Sequence, residues 1–232
     1  MIHCHNITMN VLKASKLSRS FRAGDEEIWA LRDVDLEVHA GEFVAVMGPS
    51  GSGKSTLISL LAGLESPTSG EVWLGGEPLH QQSDEAISRL RRTRVGFVFQ
   101  SYNLVPVLTL EENVALPFLL EGTPPASYAA KVAAALASVE LTHRAKHLPD
   151  RVSGGERQRA AVARALVADP ILIFADEPTG ALDREKGQGV LTLLRRACTE
   201  QGRTVVMVTH DDEAARRADR IIRLRDGRLE TP

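Results

Sequence analysis

The chain has 232 residues, 43% hydrophobic and 25% charged, which suits one large folded unit and excludes disordered or collagen-like classes. Lys and Arg total 28 against 30 Asp and Glu, a net charge of −2 with interspersed signs, so there is no broad basic field and no nucleic-acid partner is expected. Cys4 and Cys198 are the only cysteines and lack neighbours at metal-ligand spacing, which argues against disulfides or zinc and for a reducing compartment.

Residues 1–13 have neither the basic start nor the long apolar centre of a secretion signal, and read as a short extension ahead of a single unit over 14–232. Alternation in DVDLEV (33–38) predicts a half-buried strand, and the apolar run 43–47 predicts a buried one feeding a glycine-rich loop. A helix is expected over 56–64, a turn at 66–70 and a short strand at 71–74. Residues 83–94 read as a basic helix and VGFVF (95–99) as a buried strand closed by Gln100. From about 102 to 167 helical patterns dominate, in LTLEENVALPFLLEG, PASYAAKVAAALASVEL and GERQRAAVARALV, and read as an inserted helical subdomain. Alternation then resumes with a strand at 171–175, a helix at 183–199, a strand at 204–209, a helix at 212–218 and a strand at 221–224. That order predicts a mostly parallel sheet with crossover helices. The longest apolar stretches, such as 132–137 and 171–175, fall short of the ~18 to 20 residues a membrane helix needs, so no span is expected.

The loop GPSGSGKST supplies Gly48, Pro49, Ser50, Gly51, Ser52, Gly53, Lys54, Ser55 and Thr56 between a buried strand and a helix, the context a phosphate-binding loop requires. Its glycines let backbone amides curl around phosphates, Lys54 reaches the terminal phosphates, Ser55 is a magnesium ligand and Thr56 faces the α-phosphate. In ILIFADE (171–177) an apolar strand ends in two carboxylates, which a parallel sheet delivers to its ligand crevice. Asp176 suits magnesium held through water, and Glu177 suits a general base acting on the attacking water. Alone, this set equally fits a kinase or GTPase.

VSGGERQ (152–158), standing just before that strand, resembles the signature motif of the ATP-binding cassette family, with Val152 and Glu156 at its two departures from the usual LSGGQ. The resemblance covers nearly the whole chain. It implies an α/β fold with a phosphate-loop NTPase core, a mostly parallel sheet, N-terminal antiparallel strands and the helical insertion. It also implies ATP and Mg2+ as cofactors, ATP hydrolysis, and two subunits paired head to tail, so that Ser153, Gly154, Gly155 and Glu156 of one cover nucleotide held by the other. Asp183 in ALD resembles the family's D-loop, Gln100 its Q-loop residue and a further magnesium contact, and His210 at the end of VVMVTH its switch histidine. Phe21 occupies the position of the adenine-stacking aromatic, with Trp29 as the alternative ring.

GDEEIWALRDVDLEV, MGPSGSGKSTL, FVFQSYNLVPVLTLEENVALP and DEPTGALD together resemble the lipoprotein-releasing and macrolide-export type of cassette. That type implies a membrane permease, separate or fused, with a large external domain, bound from the cytoplasmic face of the inner membrane, with coupling near 100–106. The similar cell-division cassettes and soluble cassettes acting on DNA or ribosomes are the alternatives.

Overall fold

The protein is described by a computed structural model covering residues 10–24 and 26–230. Strands β1 (Asn10–Ala23), β2 (Glu26–His39), β4 (Ser69–Leu74) and β5 (Glu77–Pro78) form an antiparallel sheet in the order β2-β1-β4-β5. A second sheet, ordered β10-β9-β3-β8-β7-β6, contains β3 (Phe43–Met47), β6 (Val95–Phe99), β7 (Leu172–Asp176), β8 (Thr204–Thr209), β9 (Arg220–Arg225) and β10 (Arg228–Leu229). Five of its strands are parallel, and β10 returns antiparallel beside β9.

β3 and β8 are buried at every position, because helices or the other sheet cover both faces of a parallel sheet. Successive side chains of β3 alternate between two cores, as strand geometry demands. Val44 and Val46 join Leu57, Phe174 and the inward residues of the antiparallel sheet, while Phe43, Ala45 and Met47 join Ile173, Met207, Leu191 and Leu194 on the opposite face. Helix α1 (Lys54–Leu61) belongs to the first core and α6 (Arg184–Gln201) to the second. Helix α2 (Asp84–Arg94) leads into β6, and α7 (Asp212–Ala215) follows β8.

Helices α3 (Leu110–Leu120), α4 (Pro125–Ser138) and α5 (Gly154–Leu166) enclose a third core of Leu110, Val114, Tyr128, Val132, Leu136, Leu141 and Ala160. Helix α5 ties this layer to the main sheet, since its Val162 and Ala165 belong to the sheet's own core. The approach is close: a Cβ at Gly96 in β6 would overlap the Ala165 carbonyl oxygen and lie 3.1 Å from Ala165 Cβ.

Several boundaries differ from expectation. Residues 10–13 lie in β1, paired with β2 and β4, and not in a terminal extension; residues 1–9 fall outside the described residues. The strand read at 33–38 begins at Glu26, where shifts of register against β1 and a left-handed Asp33 (φ 50°) break the alternation. The first helix starts at Lys54 and ends at Leu61, before the left-handed Gly63. The helix read at 212–218 is one turn, Asp212–Ala215.

Candidate active site

In the parallel register Phe99 lies beside Asp176, Asp176 beside Val208, and Met47 beside Thr209. The segments that follow these strand ends therefore converge at one edge, where open α/β sheets bind ligands. A cleft of about 570 Å³ there is lined by Ser50, Gly51, Gly53, Lys54, Ser55, Thr56, Gln100, Asp176, Glu177 and His210, with Ala30 from β2. Sequence separations above 100 residues are thus closed by strand pairing alone.

The loop is shaped by what surrounds it. Gly51 (φ 80°) and Gly53 (φ 102°) are left-handed, a conformation that glycine adopts without a Cβ penalty. A Cβ on Gly48 would overlap the Leu224 carbonyl oxygen and lie 2.6 Å from Ser52 Oγ; one on Gly53 would overlap the Ala30 carbonyl oxygen. Buried Lys54 donates from Nζ to the carbonyl oxygens of Gly48 (2.8 Å) and Pro49 (2.9 Å), which hold the ammonium over the loop. Helix α1 has no capping side chain and no acid in its first turn, so its amino-terminal amides and dipole are available to an anion. Gly48, Pro49 and Ser52 back the loop and do not line the cleft; the Ser52 hydroxyl is buried without a partner.

The carboxylates have distinct surroundings. Burial pushes the Asp176 carboxyl above its ordinary range, with the adjacent Glu177 charge adding to this and the Ser55 hydroxyl and Lys54 opposing it. A cation at this position would reverse that balance. Glu177 sits at a left-handed turn (φ 45°) and its N–H donates to the Val208 carbonyl (3.0 Å). Its Oε1 lies 2.8 Å from His210 Nδ1, and its Oε2 accepts from Thr209 Oγ1 at 3.3 Å. Among the described residues no three His, Cys, Asp or Glu side chains cluster as a metal site. The donor set fits magnesium all the same, because that ion is commonly held by one or two carboxylates plus substrate phosphates. Ser55 and Asp176 would hold it, with Gln100 also lining the cleft, and it would neutralise phosphate charge.

The remaining expected site residues lie elsewhere. Ser153 caps α5: its Oγ accepts from Glu156 N–H (3.3 Å), and Glu156 accepts from Ser153 N–H (2.7 Å) and Arg144 Nε (3.1 Å). The Ser153 amide foremost, then its hydroxyl and Arg144, hold the Glu156 carboxyl down to about 2. Ser153, Gly154, Gly155 and Glu156 do not line the cleft of their own chain, and neither does Asp183, which caps α6 and pairs with Lys186. Phe21 is exposed, with the Arg19 guanidinium 4.8 Å from its ring centre, and is also outside the cleft. Trp29 lines an adjacent hollow of about 450 Å³ that shares Ala30 and Gly51 with the cleft.

Three contributors were not picked out from the sequence; one is Thr209, whose hydroxyl donates to Glu177 Oε2 at 3.3 Å. Ala30 offers only a carbonyl and small bulk, which carry no sequence signal. Gln158 is fully buried and donates from Nε2 to the carbonyls of Phe99 (3.2 Å) and Pro178 (2.7 Å), the residues beside Gln100 and Glu177. Its signal was present: it ends VSGGERQ, one helical turn beyond the cap.

Residues 31–180 match a family profile described as ABC transporter. The chain is 45% identical over 219 residues to the lipoprotein-releasing system ATP-binding protein LolD of Pseudomonas syringae, covering 94% of this chain and 96% of that one. It is also 45% identical over 219 residues to the macrolide export ATP-binding/permease protein MacB of Brucella melitensis, covering 94% of this chain but spanning only 34% of that relative's length. Among solved structures it is similar to the dimeric, post-hydrolysis ATP-binding cassette MJ0796 of Methanocaldococcus jannaschii bound to ADP and Pi, with a TM-score of 0.88 and 41% identity over 95% of this chain and 97% of that one. With ATP and magnesium as its ligands, the chain belongs to the ABC transporter family as an ATP-binding and ATP-hydrolysing subunit.

Proposed function

We propose that two copies of this chain close head to tail on ATP and drive a separate membrane permease. The observation that carries this is a divided site: the loop, Asp176 and Glu177 share one cleft, whereas the Ser153 helix start, which resembles the family's signature motif, lies outside it in the same chain. Pairing supplies the missing wall, with Ser153, Gly154 and Gly155 of one copy covering the γ-phosphate held by 48–56 of the other. Asp183 then lies at the junction, and Phe21 or Trp29 meets the base. Glu177 takes the proton of the attacking water, His210 and Thr209 hold its carboxylate, and Gln100 would join Ser55 and Asp176 in holding magnesium and orient the water. Residues 10–230 act as one nucleotide-binding unit with 102–167 as its helical subdomain, and the segment near 100–106 meets the permease.

The likeness to LolD and MacB supports lipoprotein release or macrolide export as the type of work; the permease in this reading is one with a large external domain. No described helix is long and apolar enough to cross a membrane, which suits a subunit held at the cytoplasmic face by its permease. Glu177→Gln tests the reading. With Mg-ATP this variant is expected to keep nucleotide, lose hydrolysis by about 100-fold or more and elute as a dimer in size exclusion with light scattering. A variant that stays monomeric with ATP and hydrolyses at the parent rate would refute both the pairing and the role of Glu177.

A further inference from the structure

Helix α5 begins at the signature cap, and one of its buried side chains reaches into the cleft's own framework. Gln158 is 0% exposed, and its single amide nitrogen bridges two backbone carbonyls from different segments: Phe99, the last residue of β6, and Pro178, immediately after Glu177. The amide orientation follows from chemistry, since only the NH2 end can face two acceptors. The cost is visible at the other end, where Gln158 Oε1 is buried with no partner. A half-satisfied buried amide is a poor stabilising device, so its distinctive effect is to fix two backbone positions relative to one another.

The same helix holds the rest of the segment after β6. Arg164, half-buried, donates to the carbonyls of Asn103 (2.5 Å) and Tyr102 (3.0 Å), both of which have left-handed backbones (φ 47° and 64°). The Tyr102 ring lies 5.3 Å from the Arg157 guanidinium, and its hydroxyl is 3.0 Å from where a Cβ on Gly154 would be. Non-glycine residues stay in that conformation only when their surroundings hold them, and here α5 provides the hold.

We infer that Gln158 is a positioning residue for hydrolysis: it sets the spacing between Gln100 and Glu177 by holding the backbone next to each. It touches neither nucleotide nor the reacting water, and acts through the carbonyls of Phe99 and Pro178. The inference rests on the assignment of Glu177 as base. It follows that the helix carrying Ser153 also carries the gauge for the hydrolytic groups, so a displacement of α5 alters together the hydrolytic groups of its own chain's cleft and the Ser153 start that covers the nucleotide of the other copy.

The test uses the full chain with Gln158→Met, which keeps length and bulk but removes the donor, and Gln158→Asn, which keeps the donor but withdraws it by one methylene. For Gln158→Met the expected result is kcat lower by about 10- to 100-fold, as for a misplacement of about 1 Å, with KM for ATP within about twofold. Gln158→Asn should fall between Met and the parent. Amide exchange should quicken at Gln100–Asn103 and Thr179–Gly180 while β8 and α6 keep their protection. Unchanged turnover in Gln158→Met, or a rise in KM parallel to the loss in kcat, or faster exchange across the whole sheet, would overturn the positioning role. If Gln158→Met does not fold, Gln158→Asn decides by the same criteria. A parent protein without ATPase activity would instead refute the function proposed above, so the two failures are separable.

Discussion

Replacing Gly53 with alanine imposes two penalties that a neighbouring glycine can separate. Gly53 and Gly51 are both left-handed, so alanine at either site carries backbone strain of about 1 to 2 kcal/mol. At Gly51 no atom lies within 4 Å of the added Cβ, and strain is the whole cost. At Gly53 the Cβ would overlap the Ala30 carbonyl and lie 3.0 Å from Leu31 Cδ2, so the loop or β2 must give. Overpacking of that kind adds about 1 to 3 kcal/mol. Gly53→Ala should therefore lose about 2 to 5 kcal/mol against about 1 to 2 for Gly51→Ala. At roughly 2 to 4 °C per kcal/mol for a chain of this length, the Gly53 variant melts about 4 to 20 °C below the parent. Binding should diverge further, because a loop displaced by about 1 Å costs up to about 100-fold, whereas an unhindered Cβ at Gly51 leaves the cradle in place. Thermal melts and displacement of a fluorescent ATP analogue, run on both variants, provide the measurement. Equal melting points and equal affinities for the two variants would show that contact with Ala30 does not shape the loop.

Lys54→Ala removes the ammonium that bridges Gly48 and Pro49 and serves the phosphates, so ATP affinity should drop by about 10- to 100-fold in equilibrium binding, the worth of one charged hydrogen-bond donor. His210→Ala frees the Glu177 carboxylate from one of its two holders; kcat should fall by about tenfold or more with little change in nucleotide affinity, measured by steady-state hydrolysis beside direct binding. Glu156→Gln tests the capping box through pH. The folded-state value of about 2 lies below the ordinary 4.5, so the carboxylate contributes stability above about pH 4.5 and loses it as pH falls towards 2. The parent should melt higher than Glu156→Gln at neutral pH, the two curves should converge on acidification, and a gap independent of pH would contradict the assignment.

The glycine loop was legible because its chemistry is local: consecutive residues supply the turns, the lysine and the helix start. Asp176 and Glu177 were legible only beside the glycine loop, because acids at the end of an apolar strand are common surface residues. The start of β2 was not, since its pairing with β1 shifts register and residue 33 is left-handed, which erases the period-two pattern. The helix at 212–218 was overread because Arg216, Arg217 and Ala218 include no helix breaker, yet the chain already turns back toward β9 after Ala215. Gln158 had no role assigned because helical spacing alone cannot say that a glutamine points inward between two carbonyls.

Sequence by itself determined the chemistry that depends on residue type and short spacing: a phosphate loop, a carboxylate-tipped strand, a second capped helix start and the family they resemble. Tertiary structure decided proximity. Parallel pairing of β3, β8, β7 and β6 brought 48–56, Gln100, Asp176, Glu177 and His210 to one edge, and the same geometry kept Ser153 and its helix start outside that cleft. Strand register converts residues far apart in the chain into neighbours, and no local pattern encodes which strands will pair.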